Sequence, residues 1–159
     1  MKRIKIYLQL SFFFFVFVIV QCKLPDTLYD LKIENNSNLY LHYYLATDFL
    51  CSTTVYPDTL LPVINNCINY IVKPHEKYVM EVSYVKYDKY IKQLPYDTLS
   101  IFIFSKDTLD KYGWPEVQSK YKILRRYDLS SEDIKVLKDI IPYPPSEKMK
   151  DMKMYPLYK

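Results

Sequence analysis

The chain has 159 residues, half of them apolar and a quarter charged, which suits one globular domain rather than a disordered segment. Its formal charge of +4 includes Lys2, Arg3 and Lys5, so the remainder is nearly neutral and lacks the clustered positive charge that nucleic-acid binding requires. The single glycine, Gly113, excludes phosphate-cradling loops, dinucleotide fingerprints and the Gly-x-Ser-x-Gly nucleophile turn, all of which need several glycines for close backbone approach.

The N-terminus reads as an export signal. A basic start, Met1 to Lys5, precedes a nine-residue apolar run from Phe12 to Val20, and then comes Ile19-Val20-Gln21-Cys22. A positive start, a short apolar core and a closing cysteine make a lipoprotein-type signal peptide over residues 1–21, with Cys22 acylated as the first mature residue. The pattern departs from that type at Gln21, where a small residue is usual. The uncharged stretch from Ile6 to Cys22 has 17 residues, the lower limit of a membrane span, so an uncleaved anchor stays open as an alternative. Both readings place the body outside the cytoplasm.

Residues 22–27 form a short tether, and residues 28–145 a β-rich domain. Tyr29, Leu31 and Ile33 alternate with Asp30, Lys32 and Glu34. The turn Asn35-Asn36-Ser37-Asn38 follows. Leu41, Tyr43 and Leu45 then alternate with Tyr40, His42 and Tyr44, and the two runs read as a β-hairpin. Ala46 to Cys67 is irregular, marked by Pro57, Pro62, Asn65 and Asn66. Strands are expected at Ile68–Val72 and Tyr78–Tyr84, and a short amphipathic helix at Tyr87, Tyr90, Ile91 and Leu94, before Pro95. Thr98–Phe104 is apolar at both parities, which suits a central strand covered on both faces. Helical turns on either side of Gly113-Trp114 and a strand at Tyr121–Tyr127 come next. In Leu129-Ser130-Ser131-Glu132-Asp133-Ile134, Ser130 can cap a helix, Asp133 can reach back, and Leu129 and Ile134 occupy the hydrophobic-staple positions. That helix is expected to run to about Asp139. Ile140–Tyr143 reads as an edge strand ended by Pro144-Pro145, and residues 146–159 as a loosely packed polar tail rich in Lys and Met. The fold class is therefore mainly β with short helices (α+β): an antiparallel sheet or β-sandwich with two or three helical insertions.

The chemistry-bearing residues are sparse. His42, Cys67, His75 and Met80 are the ligand types of a blue-copper site, but their mid-chain spacing does not match one, and no pair has zinc-finger spacing. No metal or cofactor is expected. Neither histidine lies in a motif that would activate a serine or cysteine, so no catalytic residue is assigned. Aromatic rings offer stacking platforms for sugars. Tyr40 and Tyr44, on the presumed outer face of one strand, and Trp114, beside a turn, form the candidate binding face.

Several stretches carry a resemblance: Ile33-Glu34-Asn35-Asn36-Ser37-Asn38 with Tyr56-Pro57-Asp58-Thr59-Leu60, the run Asp97 to Trp114, and Tyr121 to Pro156. Together they resemble small uncharacterised lipoproteins of the Bacteroidota, over roughly residues 28–156. The resemblance implies lipid anchorage and no particular activity, cofactor or catalytic residue.

The expectation is a non-catalytic lipoprotein of the cell envelope, anchored at the outer membrane through Cys22, with an interaction or structural role. Its partner would be another envelope protein, met on a tyrosine-rich sheet face. The alternative is a surface glycan-binding accessory. Outside the cytoplasm, Cys51 and Cys67 suit a disulfide closing a loop of about 16 residues, worth about 3 kcal/mol, against the alternative of two buried thiols. Thiol titration of the unfolded, unreduced protein is expected to find both blocked; two free thiols would refute the bridge.

Overall fold

The computed structural model describes residues 27–47, 56–62 and 70–158. Cys22, Cys51 and Cys67 lie outside the described residues, as does the whole expected signal segment. No described helix is long and apolar enough to cross a membrane.

Strand β1 (Tyr29–Asn35) buries Leu31, Ile33 and Asn35 and leaves the intervening residues half-exposed, as its alternation requires. The Asn35 side chain is fully buried and organises the turn that follows. Its amide donates to the Leu39 carbonyl at 2.8 Å and to the Lys73 carbonyl at 2.9 Å, while its oxygen accepts from the Ser37 N–H and hydroxyl at 3.0 and 2.7 Å. The chain then crosses to a second sheet as β2 (Leu41–Ala46).

This corrects the expected hairpin. β1 lies between β4 (Lys77–Ser83, antiparallel) and β7 (Ile140–Tyr143, parallel). β2 lies between β3 (Ile71–Val72) and β5 (Thr98–Ser105), antiparallel to both. Alternation tells each strand to bury one face. It does not say whether the neighbouring strand lies beside it or across the core, and here Leu31 and Ile33 face Leu41 and Tyr43 from opposite sheets of one apolar core.

The small sheet has the order β4-β1-β7. The large sheet has the order β3-β2-β5-β6-β8, completed by β6 (Arg125–Ser130) and β8 (Lys153–Tyr155). The two sheets form a β-sandwich whose core includes Leu99, Ile101, Ile103, Tyr127, Leu129 and Met154 from the large sheet and Ile141 and Tyr143 from the small one. The fold is thus mainly β, with three short α-helices among the described residues, as the sequence suggests.

β5 is the central strand of the large sheet and is buried on both faces, as its double-sided apolar pattern predicts. Phe102 and Phe104 point away from the sandwich core into a second cluster with Tyr44, Ala46, Leu61 and Val117. That cluster is roofed by α2 (Lys106–Ser119), whose two helical segments meet at Gly113. Gly113 has φ +71° and ψ 162°, a conformation that side-chain-bearing residues resist, and Pro115 then opens the second segment. The shorter α1 (Tyr87–Ile91) buries Tyr87 and Ile91, two of its expected apolar positions.

Helix α3 (Ser131–Leu137) begins with the expected capping box. Ser130 Oγ accepts from the Asp133 N–H at 3.2 Å, and Asp133 Oδ2 accepts from the Ser130 N–H at 2.8 Å. Lys138 and Asp139 both take left-handed φ, which ends the helix and turns the chain into β7.

The closing segment is not a loose tail. Glu147–Met149 forms a 3-10 turn that buries Met149, and β8 pairs with β6 and buries Met154. Met154 fills the core between Tyr127 and its neighbours, so Met154→Ala is expected to cost about 2–4 kcal/mol in urea unfolding. A change under about 0.5 kcal/mol would mean that β8 contributes nothing to the core.

Candidate binding surface

The outer face of the large sheet carries the candidate site, and burial divides it. Toward β2 and β5 it is apolar and covered. Tyr44 is only 2% exposed, opposite Phe102 at a ring separation of 5.7 Å. Trp114 packs edge-on against Phe104 at 5.7 Å in the same cluster. The candidate face of Tyr40, Tyr44 and Trp114 is therefore not assembled as expected. Tyr40 is exposed, whereas the other two rings support the joint between α2 and the sheet. The alternation assigned Tyr44 to the correct side of its strand but could not show that a helix roofs that side.

Toward β6 and β8 the same face turns polar and aromatic. Asp128 is buried, with no side-chain exposure, opposite Ser100 on β5. The Ser100 hydroxyl donates to Asp128 Oδ1 at 2.6 Å, and Arg126 donates to Oδ2 through Nε at 3.1 Å and Nη2 at 3.0 Å. Arg126 Nη1 also donates to the Tyr121 hydroxyl at 2.9 Å. Both carboxylate oxygens are thus satisfied by charge-assisted or hydroxyl bonds, which is what lets a charge persist under the sheet surface.

Around this network runs a strip of tyrosines. Tyr155, on β8 opposite Arg126, meets Tyr121 at 5.9 Å and is 52% exposed. Lys153, opposite Asp128, holds its ammonium 4.6 Å from the Tyr56 ring centroid and donates to the Tyr56 hydroxyl. Tyr56 in turn meets Tyr96 edge-on at 6.0 Å. Tyr96 is 75% exposed and takes φ +55°, with Asp97 beside it at +49°. None of these rings belongs to the face expected from the sequence. Tyr56 lies in the irregular segment, Tyr96 follows Pro95 in a 3-10 turn, and Tyr155 lies in the supposed tail.

A second notable group sits at the corner between β4, β2 and α1. The register along β1 slips between Leu31 and Lys32, which pair with Glu81 and Val79, so Met80 is a bulged extra residue. The bulge swings Glu81 to the core side opposite buried Leu31 and sends Val82 outward to 51% exposure. Burial pushes the Glu81 carboxyl above the usual carboxylate range. Its Oε2 and the buried Tyr87 hydroxyl have no hydrogen-bond partner among the described residues. Tyr43 closes the corner, its hydroxyl donating to the Met80 carbonyl at 3.2 Å and its ring contacting Tyr70 and Tyr78.

Of the copper-type residues, Cys67 lies outside the described residues and the other three are not gathered. His42 lies on the outer face opposite Phe104, Met80 lies in the sandwich core, and His75 sits in an exposed turn, bonded to Asn38 at 3.0 Å. Among the described residues no cluster of three or more His, Cys, Asp or Glu could hold a metal ion. No family model, curated protein or solved structure matches the chain.

The Glu81 corner makes a pH prediction. A carboxyl whose folded pKa is raised binds its proton more tightly in the folded than in the unfolded state, so it favours folding at acidic pH, and that stability is lost as pH rises through the folded value. Asp139, raised by burial and then by Asp88, acts in the same direction. Glu81→Gln is expected to unfold at a higher temperature than wild type at pH 8, with the gap closing toward pH 4. A lower melting temperature at pH 8 would mean that the ionised carboxylate stabilises the fold.

Proposed function

We propose that this chain is a lipid-anchored lipoprotein of the bacterial cell envelope, held at the outer membrane through Cys22, whose sandwich acts as a non-catalytic binding module. The observation that carries the binding role is the strip of Tyr56, Tyr96, Tyr121 and Tyr155 with Lys153, left open on the outer face of the large sheet. In each pair one ring, Tyr96 or Tyr155, is exposed and braced by a half-buried one, Tyr56 or Tyr121, and a row of braced exposed rings suits an interaction site. The buried acid beneath the strip, Asp128, is closed into internal bonds with Ser100 and Arg126, which supports recognition rather than proton transfer. Anchorage rests on the basic start, the apolar run and the terminal Cys22, and on the resemblance to Bacteroidota lipoproteins. The partner is an envelope component, protein or glycan, that meets the strip.

The test uses the full-length chain in its native membrane, with labelled palmitate and in-place crosslinking, beside Cys22→Ala. Wild type is expected to take up label, sediment with the membrane and crosslink to a stoichiometric partner. Cys22→Ala should lose the label and leave the membrane fraction. Label retained in Cys22→Ala would overturn lipidation at this residue. An unlabelled but membrane-bound Cys22→Ala would point instead to an uncleaved anchor.

A further inference from the structure

We propose that the tyrosine strip is a binding site for an acidic glycan, with Tyr96 and Tyr155 as stacking platforms and Lys153 as the cation that meets a sugar carboxylate or sulfate. The inference rests on the binding-module reading and names its ligand class.

The geometry is a line of alternating functions. Tyr96 and Tyr56 form one aromatic pair, at 6.0 Å, and Tyr155 and Tyr121 form another, at 5.9 Å. Lys153 lies between them, over the Tyr56 ring. Lys153 and Tyr155 are alternate residues of β8, so their side chains leave the same face of the sheet about 7 Å apart. A pyranose has an apolar C–H face and a rim of hydroxyls. The π-face of an exposed tyrosine suits the first, and its hydroxyl suits the second.

Charge narrows the ligand further. Lys153 makes no ion pair among the described residues; its ammonium touches only the Tyr56 ring and hydroxyl. Arg126 is already neutralised by Asp128. Lys153 is the cation that the β8 end of the strip offers, framed by Tyr56 and Tyr155, and an anionic group on a sugar complements that end better than a neutral one. Asp97, exposed beside Tyr96, leaves the positive charge of the strip to its Lys153 end. The core of a protein–protein interface is depleted in lysine, whereas here Lys153 stands among the rings.

Backbone strain at Tyr96 is the independent observation. A bulky residue at φ +55° is disfavoured relative to glycine or asparagine, and Tyr96 recovers nothing by burial, because its ring is 75% exposed. His75, Asp97, Tyr121, Lys138 and Asp139 share positive φ, and at Lys138 and Asp139 it ends a helix; at Tyr96 it carries a ring that stays in solvent, which fits a conformation kept for a site. Here it holds the ring upright beside Tyr56 and above the start of β5, where the Thr98 hydroxyl donates to the Tyr96 carbonyl at 2.8 Å.

The test is native affinity electrophoresis of the detergent-solubilised full-length protein in gels containing polygalacturonate, chondroitin sulfate or neutral dextran. Wild type should be retarded by one or both acidic polymers and not by dextran, and the two acidic gels separate a carboxylate requirement from a sulfate requirement. Added salt should weaken the retardation. Tyr96→Ala and Lys153→Ala should each weaken binding about tenfold, while Tyr40→Ala, exposed elsewhere, should bind as wild type. Tyr96→Gly separates function from folding: it should melt no lower than wild type, since it relieves the left-handed backbone, and still lose retardation. Retardation unchanged in Tyr96→Ala and Lys153→Ala would overturn the site, and equal retardation in dextran would overturn the charge requirement. No retardation in any gel, with a crosslinked protein partner lost in Tyr96→Ala, would overturn the glycan and leave the binding module standing. Loss of every partner as well would end both readings.

Discussion

The sandwich depends on β5 being buried on both faces. Leu99, Ile101 and Ile103 close the space between the sheets, and Phe102 and Phe104 demand cover on the other side. α2 and the segment carrying Leu61 supply that cover, with the Gln118 side-chain amide donating to the Leu61 and Pro62 carbonyls at 3.2 and 3.0 Å. The break at Gly113 then sets Trp114 edge-on against Phe104. Once the roof is committed to β2 and β5, the neighbouring face of β6 and β8 needs another solution. It is met by the Ser100–Asp128–Arg126–Tyr121 network, which seals itself with hydrogen bonds in place of apolar burial. The open aromatic strip follows from this division: it lies where the structural need for cover has already been satisfied from within.

Two of the features that local sequence rules describe poorly bear on the candidate surfaces. At Met80 a bulge without glycine reverses the alternation of β4, bringing Glu81 inward and Val82 outward. At Tyr96 and Asp97 two side-chain-bearing residues take left-handed backbone with no glycine to make it easy. Both cost stability, one through desolvation of a carboxyl and one through steric strain. They differ in consequence. The Glu81 corner is closed by Tyr43 and Tyr87, where burial raises the pKa of the Glu81 carboxyl, whereas Tyr96 stands in solvent, where strain has no packing reward.

Most of the elements were legible in the sequence because their signals are local. The β1 alternation, the Asn35 turn, the double-sided β5, the break at Gly113 and the Ser130–Asp133 box each depend on residues within a few positions of one another. Pairing was not legible, because it depends on what lies across the core. The turn between β1 and β2 looked like a hairpin turn, yet Asn35 uses its amide to tie that turn to the Lys73 carbonyl, and the chain changes sheets. The role of Tyr44 was misjudged for the same reason, since the roof that buries it comes from residues far along the chain. β8 was missed because three residues with Met at the centre carry almost no alternation. Its place became clear only through the partners Arg126, Tyr127 and Asp128.

β8 also shows how a structural device and a recognition surface can coincide. Among the described residues it is one of the two edges of the large sheet, and it carries the features by which edges resist pairing with other chains: only three residues, an outward lysine and a proline immediately after it. Lys153 discourages a neighbouring strand by its charge, and the same charge lies unpaired between two tyrosine pairs. An edge guarded in this way resists extension of the sheet by another strand, which leaves the side chains projecting from its face as its means of contact. On the proposed reading, the ligand is one that a row of rings and one ammonium can hold without backbone pairing, as a sugar chain can.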